Sequence, residues 1–217
     1  MSRTSKKQAA ADRKARIEEM RRAERARERR NRVITITIST VIVAGLVGWG
    51  AYAINNANQK KEQKAAAAAK PISGEKTWDA KKLGRTHVTG TVDYPMNPPV
   101  GGNHNPVWMT CNGNVYNKAL RNENAVHSLE HGAVWVTYNT KATAADIKTL
   151  AAKVTKTPYT LMSPDTTQSG TVMLTAWGHQ LSVNTASDHR VEQFLTKYVQ
   201  GPQTPEPGAA CTGGLTS

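Results

Sequence analysis

The chain has 217 residues, 29 Lys and Arg against 16 Asp and Glu, and a formal net charge of +13. That length accommodates one domain with accessory segments. Residues 1–32 hold 13 basic and 5 acidic side chains, a net +8, whereas residues 71–217 hold 12 and 10, a net +2, so the larger part has no charge suited to nucleic acid.

The basic tail, residues 1–32, reads as a topology signal beside a membrane span, in preference to a nucleic-acid arm or a patch for anionic lipid. The span follows at residues 33–54. Val33 to Ile54 contains no charged side chain, and a helix of that length rises about 33 Å, enough to cross a bilayer core. Its threonine and serine hydroxyls can bond back to helix carbonyls, and Trp49 and Tyr52 sit near its outer end, where aromatic belts lie. Ala51-Tyr52-Ala53 resembles a signal-peptidase site, but both the apolar stretch and the basic tail are long for a signal peptide. The expectation is an uncleaved single-pass anchor in the cell membrane, with the bilayer as partner, the N-terminus cytoplasmic and the C-terminal domain extracytoplasmic.

Residues 55–70, rich in Ala and Lys, favour helix and read as a stalk that Pro71 and Gly74 break. The extracytoplasmic domain is residues 71–217. Residues 84–114 are rich in Gly, Pro and Asn and form a long loop region. A short helical turn around Glu123–His131 precedes a strand at Ala133–Tyr138. Thr143 opens a helix with Ile147, Leu150, Ala151 and Val154 on one face. Strands at 159–162 and 171–177 follow, with 178–183 pairing with the second or continuing it, then a last helix carrying Val191, Phe194, Leu195 and Tyr198, stopped by Gly201-Pro202. The order β-α-β-β-α predicts an α+β domain: a small antiparallel sheet with two helices packed on one face.

Four of the six histidines fall between residues 87 and 131. His127 and His131 are four apart, and on one turn of helix that spacing aims both imidazoles to the same side. His104, His127 and His131 are candidate metal ligands, with His87 a fourth ligand or a supporting partner. Imidazole nitrogens suit copper or zinc, and Met96 and Met109 in the same stretch would favour copper(I). Glu130 reads as a carboxylate orienting one histidine, or as a cap on a backbone N–H. The letters His127, Glu130 and His131 also match H-x-x-E-H, in which the glutamate is a general base beside zinc. That motif needs a long helix, and here Gly132 and a strand follow at once, so a zinc-dependent hydrolase ranks below a binding role. A non-metal accessory subunit, whose histidines brace a loop and whose partner is another membrane protein, is the other alternative. The two cysteines, Cys111 and Cys211, read as a disulfide tying the C-terminal tail to the histidine region, or else Cys111 is a thiolate ligand.

These residues resemble a bacterial membrane-anchored family of unknown function, number 3105. The likeness spans about Gly84 to Cys211. It rests on His87, Tyr94, Pro98-Pro99, Gly102 to His104, Trp108, Tyr116, Val126-His127-Ser128-Leu129-Glu130-His131-Gly132, Tyr138, Ala176-Trp177-Gly178, Phe194 and Pro205-Glu206-Pro207. Asn103 stands where the family usually has proline, which leaves the His104 position intact. The resemblance implies that His87, His104, His127 and His131 occupy motif positions and that His179 and His189 do not. It implies no reaction.

Overall fold

A computed structural model describes residues 3–68 and 70–217. The chain divides into two compact units at Lys60/Lys61. From Arg3 on, the first unit is helix, part of α1 (Arg3–Ala68). Within Arg16–Gln63 this helix is long and apolar enough to cross a membrane. The hydroxyls of Thr37 and Thr40 donate to the carbonyls of Val33 and Ile36 at 2.9 and 2.8 Å, so these polar groups are satisfied inside the helix.

The second unit is an α+β domain around a six-stranded sheet. In chain order it contains β1 (Glu75–Thr77), β2 (Asn112–Val115), α2 (Asn122–Glu130), β3 (Val134–Tyr138), α3 (Ala144–Thr155), β4 (Thr160–Pro164), β5 (Val172–Ala176), β6 (His179–Val183) and α4 (His189–Tyr198). The sheet order is β1-β6-β5-β3-β4-β2. The sheet is mixed, not wholly antiparallel: β4 pairs in parallel with both β3 and β2. The reason is the connection through α3. A helix between two neighbouring strands carries the chain back to its starting edge, so β4 runs the same way as β3.

The sheet is covered on both faces. Val134 and Val136 of β3, with Met162 of β4, join a core that includes Leu150 and Val154 of α3 and Val191, Phe194 and Leu195 of α4. Trp135 and Leu161 alternate to the opposite face, where they meet Val126 and Leu129 of α2, Trp177, Met109 and the two cysteines. Asp188 opens α4 by accepting the Arg190 backbone N–H at 2.9 Å, and Thr143 opens α3 by accepting that of Asp146 at 3.1 Å.

The second face is closed by irregular chain. Residues 83–111 contain neither helix nor strand, only isolated bridges between His87 and His104 and between Met109 and Leu215. Cys111 and Cys211 are bonded, their Cα atoms 4.8 Å apart, and the Cys111 N–H donates to the Cys211 carbonyl at 2.8 Å. This removes Cys111 from the candidate ligands and lays the C-terminal tail along the end of α2.

Candidate metal centre

Helix α2 is short and almost wholly buried, from Glu123 to Glu130. It stops at Gly132, whose φ of +91° is a left-handed conformation that favours glycine. A Cβ there would stand 2.4 Å from Gln200 Nε2 and 2.8 Å from Thr204, so the same glycine admits the tail. His127 and Glu130 are thereby fixed on the last turn, under the loop that carries His87 and His104. Gly101, at φ +145°, lets that loop pass close beneath Trp177: a Cβ there would meet the indole at 3.1 Å.

His87, His104, His127 and Glu130 each turn one ligand atom to a common point, all within 4.8 Å of one another. The three imidazoles form a nearly equilateral triangle, with centroids 4.9 to 5.0 Å apart. His87 and His104 are set side by side by backbone pairing: Val88 N–H to the His104 carbonyl at 2.7 Å, and His104 N–H to the Thr86 carbonyl at 3.1 Å. His104, His127 and Glu130 are buried, while the His87 side chain is 48% exposed, so the group opens to solvent on the His87 side.

The tautomers follow from the hydrogen bonds. The Nδ1 of His104 faces the Gly102 carbonyl at 2.8 Å, that of His127 the Asn105 carbonyl at 2.6 Å, and that of His131 the Ala210 carbonyl at 2.8 Å. A carbonyl only accepts, so each Nδ1 carries the proton and each neutral ring presents its Nε2 lone pair. For His104 this creates a conflict. Its buried Nε2 lies 2.9 Å from Glu130 Oε2, an ion pair when the ring is protonated, yet makes no hydrogen bond. A neutral ring at that distance sits against a carboxylate oxygen, and either a second proton on the ring or a cation near both atoms would relieve the contact. A second proton on His104 would answer this one contact, whereas the nitrogens of His87, 3.9 Å from the same Oε2, and of His127 converge on the same point. A metal ion answers all four ligand atoms together.

Glu130 is held for this position. Arg85 Nε donates to its Oε1 at 2.6 Å, which leaves Oε2 to the histidines. Burial alone would raise the Glu130 carboxyl; the close His104 nitrogen and the Arg85 guanidinium outweigh it and hold the group at about 2. Burial pushes the His127 imidazole down to about 4, against the Asn105 hydrogen bond and with help from the neighbouring histidines. Both groups are therefore in their ligand forms at neutral pH.

His131, placed beside His127 by sequence spacing, lies outside this four-residue set. Its ring centroid is 4.6 Å from that of His127, and its Nε2 is 3.8 Å from Glu206 Oε2 on the tail. Trp108 packs against both rings, at 5.6 and 4.9 Å. Relative to H-x-x-E-H the roles are interchanged: Glu130 joins the ligand group and the second histidine stands apart. His179 is engaged elsewhere, by Glu75 at 2.9 Å, and His189 is exposed. Arg85 and the tautomer-fixing carbonyls carried no sequence signal. Glu206 stood out in the sequence as part of the Pro205-Glu206-Pro207 run, without a sign that it lies 3.8 Å from His131.

The fold and this polar cluster define an α+β domain with a group of side chains that can hold a metal ion, preceded by a candidate membrane span. The family described as protein of unknown function (DUF3105) matches residues 87–213, more than half of the chain, and the protein belongs to that family. No curated protein and no solved structure matches the chain.

Proposed function

We propose that this is a metal-binding module, displayed on the outer side of the cell membrane by a single-pass anchor, that binds an ion for delivery or assembly and does not turn over a substrate. The ligands are His87, His104, His127 and Glu130. The observation that carries the reading is the convergence of four ligand atoms within 4.8 Å, among them the buried His104 Nε2, which lies 2.9 Å from Glu130 Oε2 without a hydrogen bond.

Three imidazoles and one carboxylate are borderline donors suited to zinc or copper(II); copper(I) prefers thioether and thiolate sulfur. The carboxylate is committed to Arg85 and to the ligand group, which leaves it poorly placed to act as the base of a hydrolase. A membrane-protein acceptor for the ion is the partner this role calls for. The basic residues before the span support a cytoplasmic N-terminus.

The test is elemental analysis of the full-length protein, purified in detergent without a histidine tag, beside a His104→Ala/His127→Ala variant. One equivalent of zinc or copper, absent from the variant, is the expected result. No metal in the wild type after reconstitution with either ion would overturn the reading.

A further inference from the structure

His131 is prepared as a ligand, yet it does not belong to the inner group. Its Nδ1 proton is fixed on the Ala210 carbonyl at 2.8 Å, by the same device that fixes His104 and His127. A histidine that only braced the tail would need nothing more. Its Nε2 lies 3.8 Å from Glu206 Oε2, beyond hydrogen-bond distance. Two donors on one zinc or copper ion, each at about 2.1 Å, stand roughly 3 to 3.5 Å apart. The 43% exposed Glu206 side chain can close the small difference.

This pair adjoins the inner group. The His131 ring is 4.6 Å from that of His127 by centroids. The Glu206 N–H donates to the Glu130 carbonyl at 3.1 Å, and Glu206 Oε1 is 3.5 Å from the Arg85 Nη2 whose guanidinium also holds Glu130. A hydrated ion arriving from solvent must exchange its waters for four protein ligands, three of them buried. Of the pair, the Glu206 carboxylate is half-exposed and the His131 ring is buried, 5% exposed, so an ion would meet Glu206 first, then His131, and the exchange would proceed stepwise.

Building on the metal-centre reading, we propose that His131 and Glu206 form an outer metal-binding pair, which takes a hydrated divalent cation at the mouth and passes it by ligand exchange to His87, His104, His127 and Glu130. Groups that touch the ion only in transit lower the barrier in both directions. They change the rates of entry and exit equally and leave the final affinity unchanged.

The experiment is stopped-flow binding of Co²⁺ to the full-length protein in detergent, followed by visible absorbance, with dissociation measured into excess chelator. Glu206→Gln and His131→Asn, each checked for folding by circular dichroism, should slow association and dissociation alike. The expected change is about tenfold, or about 1.4 kcal/mol of barrier, with one bound equivalent, its spectrum and its Kd unchanged. Unchanged rates would overturn the outer pair. So would a loosened Kd with only association affected, because Glu206 would then act as general negative charge. A changed spectrum would make His131 a ligand of the inner site and overturn the proposal as well. Failure of the wild type to bind Co²⁺, Zn²⁺ or Cu²⁺ would instead remove the metal-centre reading itself.

Discussion

Arg85 grips Glu130 by one oxygen only. Its Nε–H meets Oε1 at 2.6 Å, so Oε2 is left facing His104 and His87. An exposed arginine thus sets the direction of a buried carboxylate, and removing it would free the carboxylate to turn.

For Arg85→Ala, the expected loss of zinc affinity by calorimetry is about 10- to 100-fold, the usual effect of deleting a group that orients a metal ligand. Glu130 would also rise from its value of about 2, since Arg85 helps to hold it there. Protons would then displace the ion at a higher pH than in the wild type. Arg85→Lys keeps the charge without the planar fork, and should fall between the two.

The disulfide closes a loop whose ends are 100 residues apart. In the chain-entropy account such a bond is worth about 4 to 5 kcal/mol. The double variant Cys111→Ser/Cys211→Ser should show a large drop in melting temperature by differential scanning calorimetry. It should also take up and release metal more slowly, because Cys211 follows Ala210, whose carbonyl fixes His131. An unchanged melting temperature would show that the tail is held by other contacts.

Gly132→Ala forces an L side chain into the left-handed region, at a cost of about 1 to 2 kcal/mol, and its Cβ would collide with Gln200 and Thr204. The tail should lift from the end of α2. The expected signs are a lower melting temperature and faster proteolysis after residue 200, with helix content by circular dichroism unchanged.

Asp188 accepts the Arg190 backbone N–H and pairs with its guanidinium, Nη2 to Oδ2 at 2.6 Å; the Arg190 side-chain hydrogen bond is the main cause that holds its carboxyl at about 2, against an ordinary 3.8. A carboxyl depressed in the folded state contributes stability above its unfolded value and loses it as pH falls. The contribution should be whole above pH 4 and fade between about 3.8 and 2. Asp188→Ala removes the cap as well, at about 1 kcal/mol, and should lower the melting temperature by about 2 to 4 °C at neutral pH. Its melting curve should then vary less than the wild type's across the acid window.

Orientation has its own test. With the basic residues 1–32 cytoplasmic, protease added to right-side-out membrane vesicles should degrade residues 71–217 and spare a fragment containing the span. Protection of the C-terminal domain would reverse the assignment.

The sequence was most legible where chemistry and periodicity coincide. Four histidines within 45 residues marked the cluster, and the apolar run at Val33–Ile54 marked the candidate span. Helices α3 and α4 declared themselves through their caps and apolar faces. Strands β1 and β2 did not: Glu-Lys-Thr and Asn-Gly-Asn-Val have no alternating pattern, and they form only because partner strands already lie beside them. The expected antiparallel sheet missed the parallel pairing of β3 with β4, which the helix between them imposes. At the site, residue type identified the histidines, but which ones converge depended on a backbone bridge between His87 and His104 that spacing does not reveal. Backbone carbonyls belong to every residue, so the groups that fix the tautomers could not be read from side-chain identity at all.

Seventy-nine residues separate His131 from the carbonyl that fixes its tautomer. During synthesis the ribosome therefore releases His87, His104, His127 and Glu130 long before Glu206, Ala210 and Cys211. The inner ligands belong to a part of the chain that exists before its cover does, and the cover is sealed only by a later oxidation. On the proposed metal-binding reading, an ion could reach the inner group before the tail is bonded in place, so loading and sealing would be separate moments in the life of the molecule.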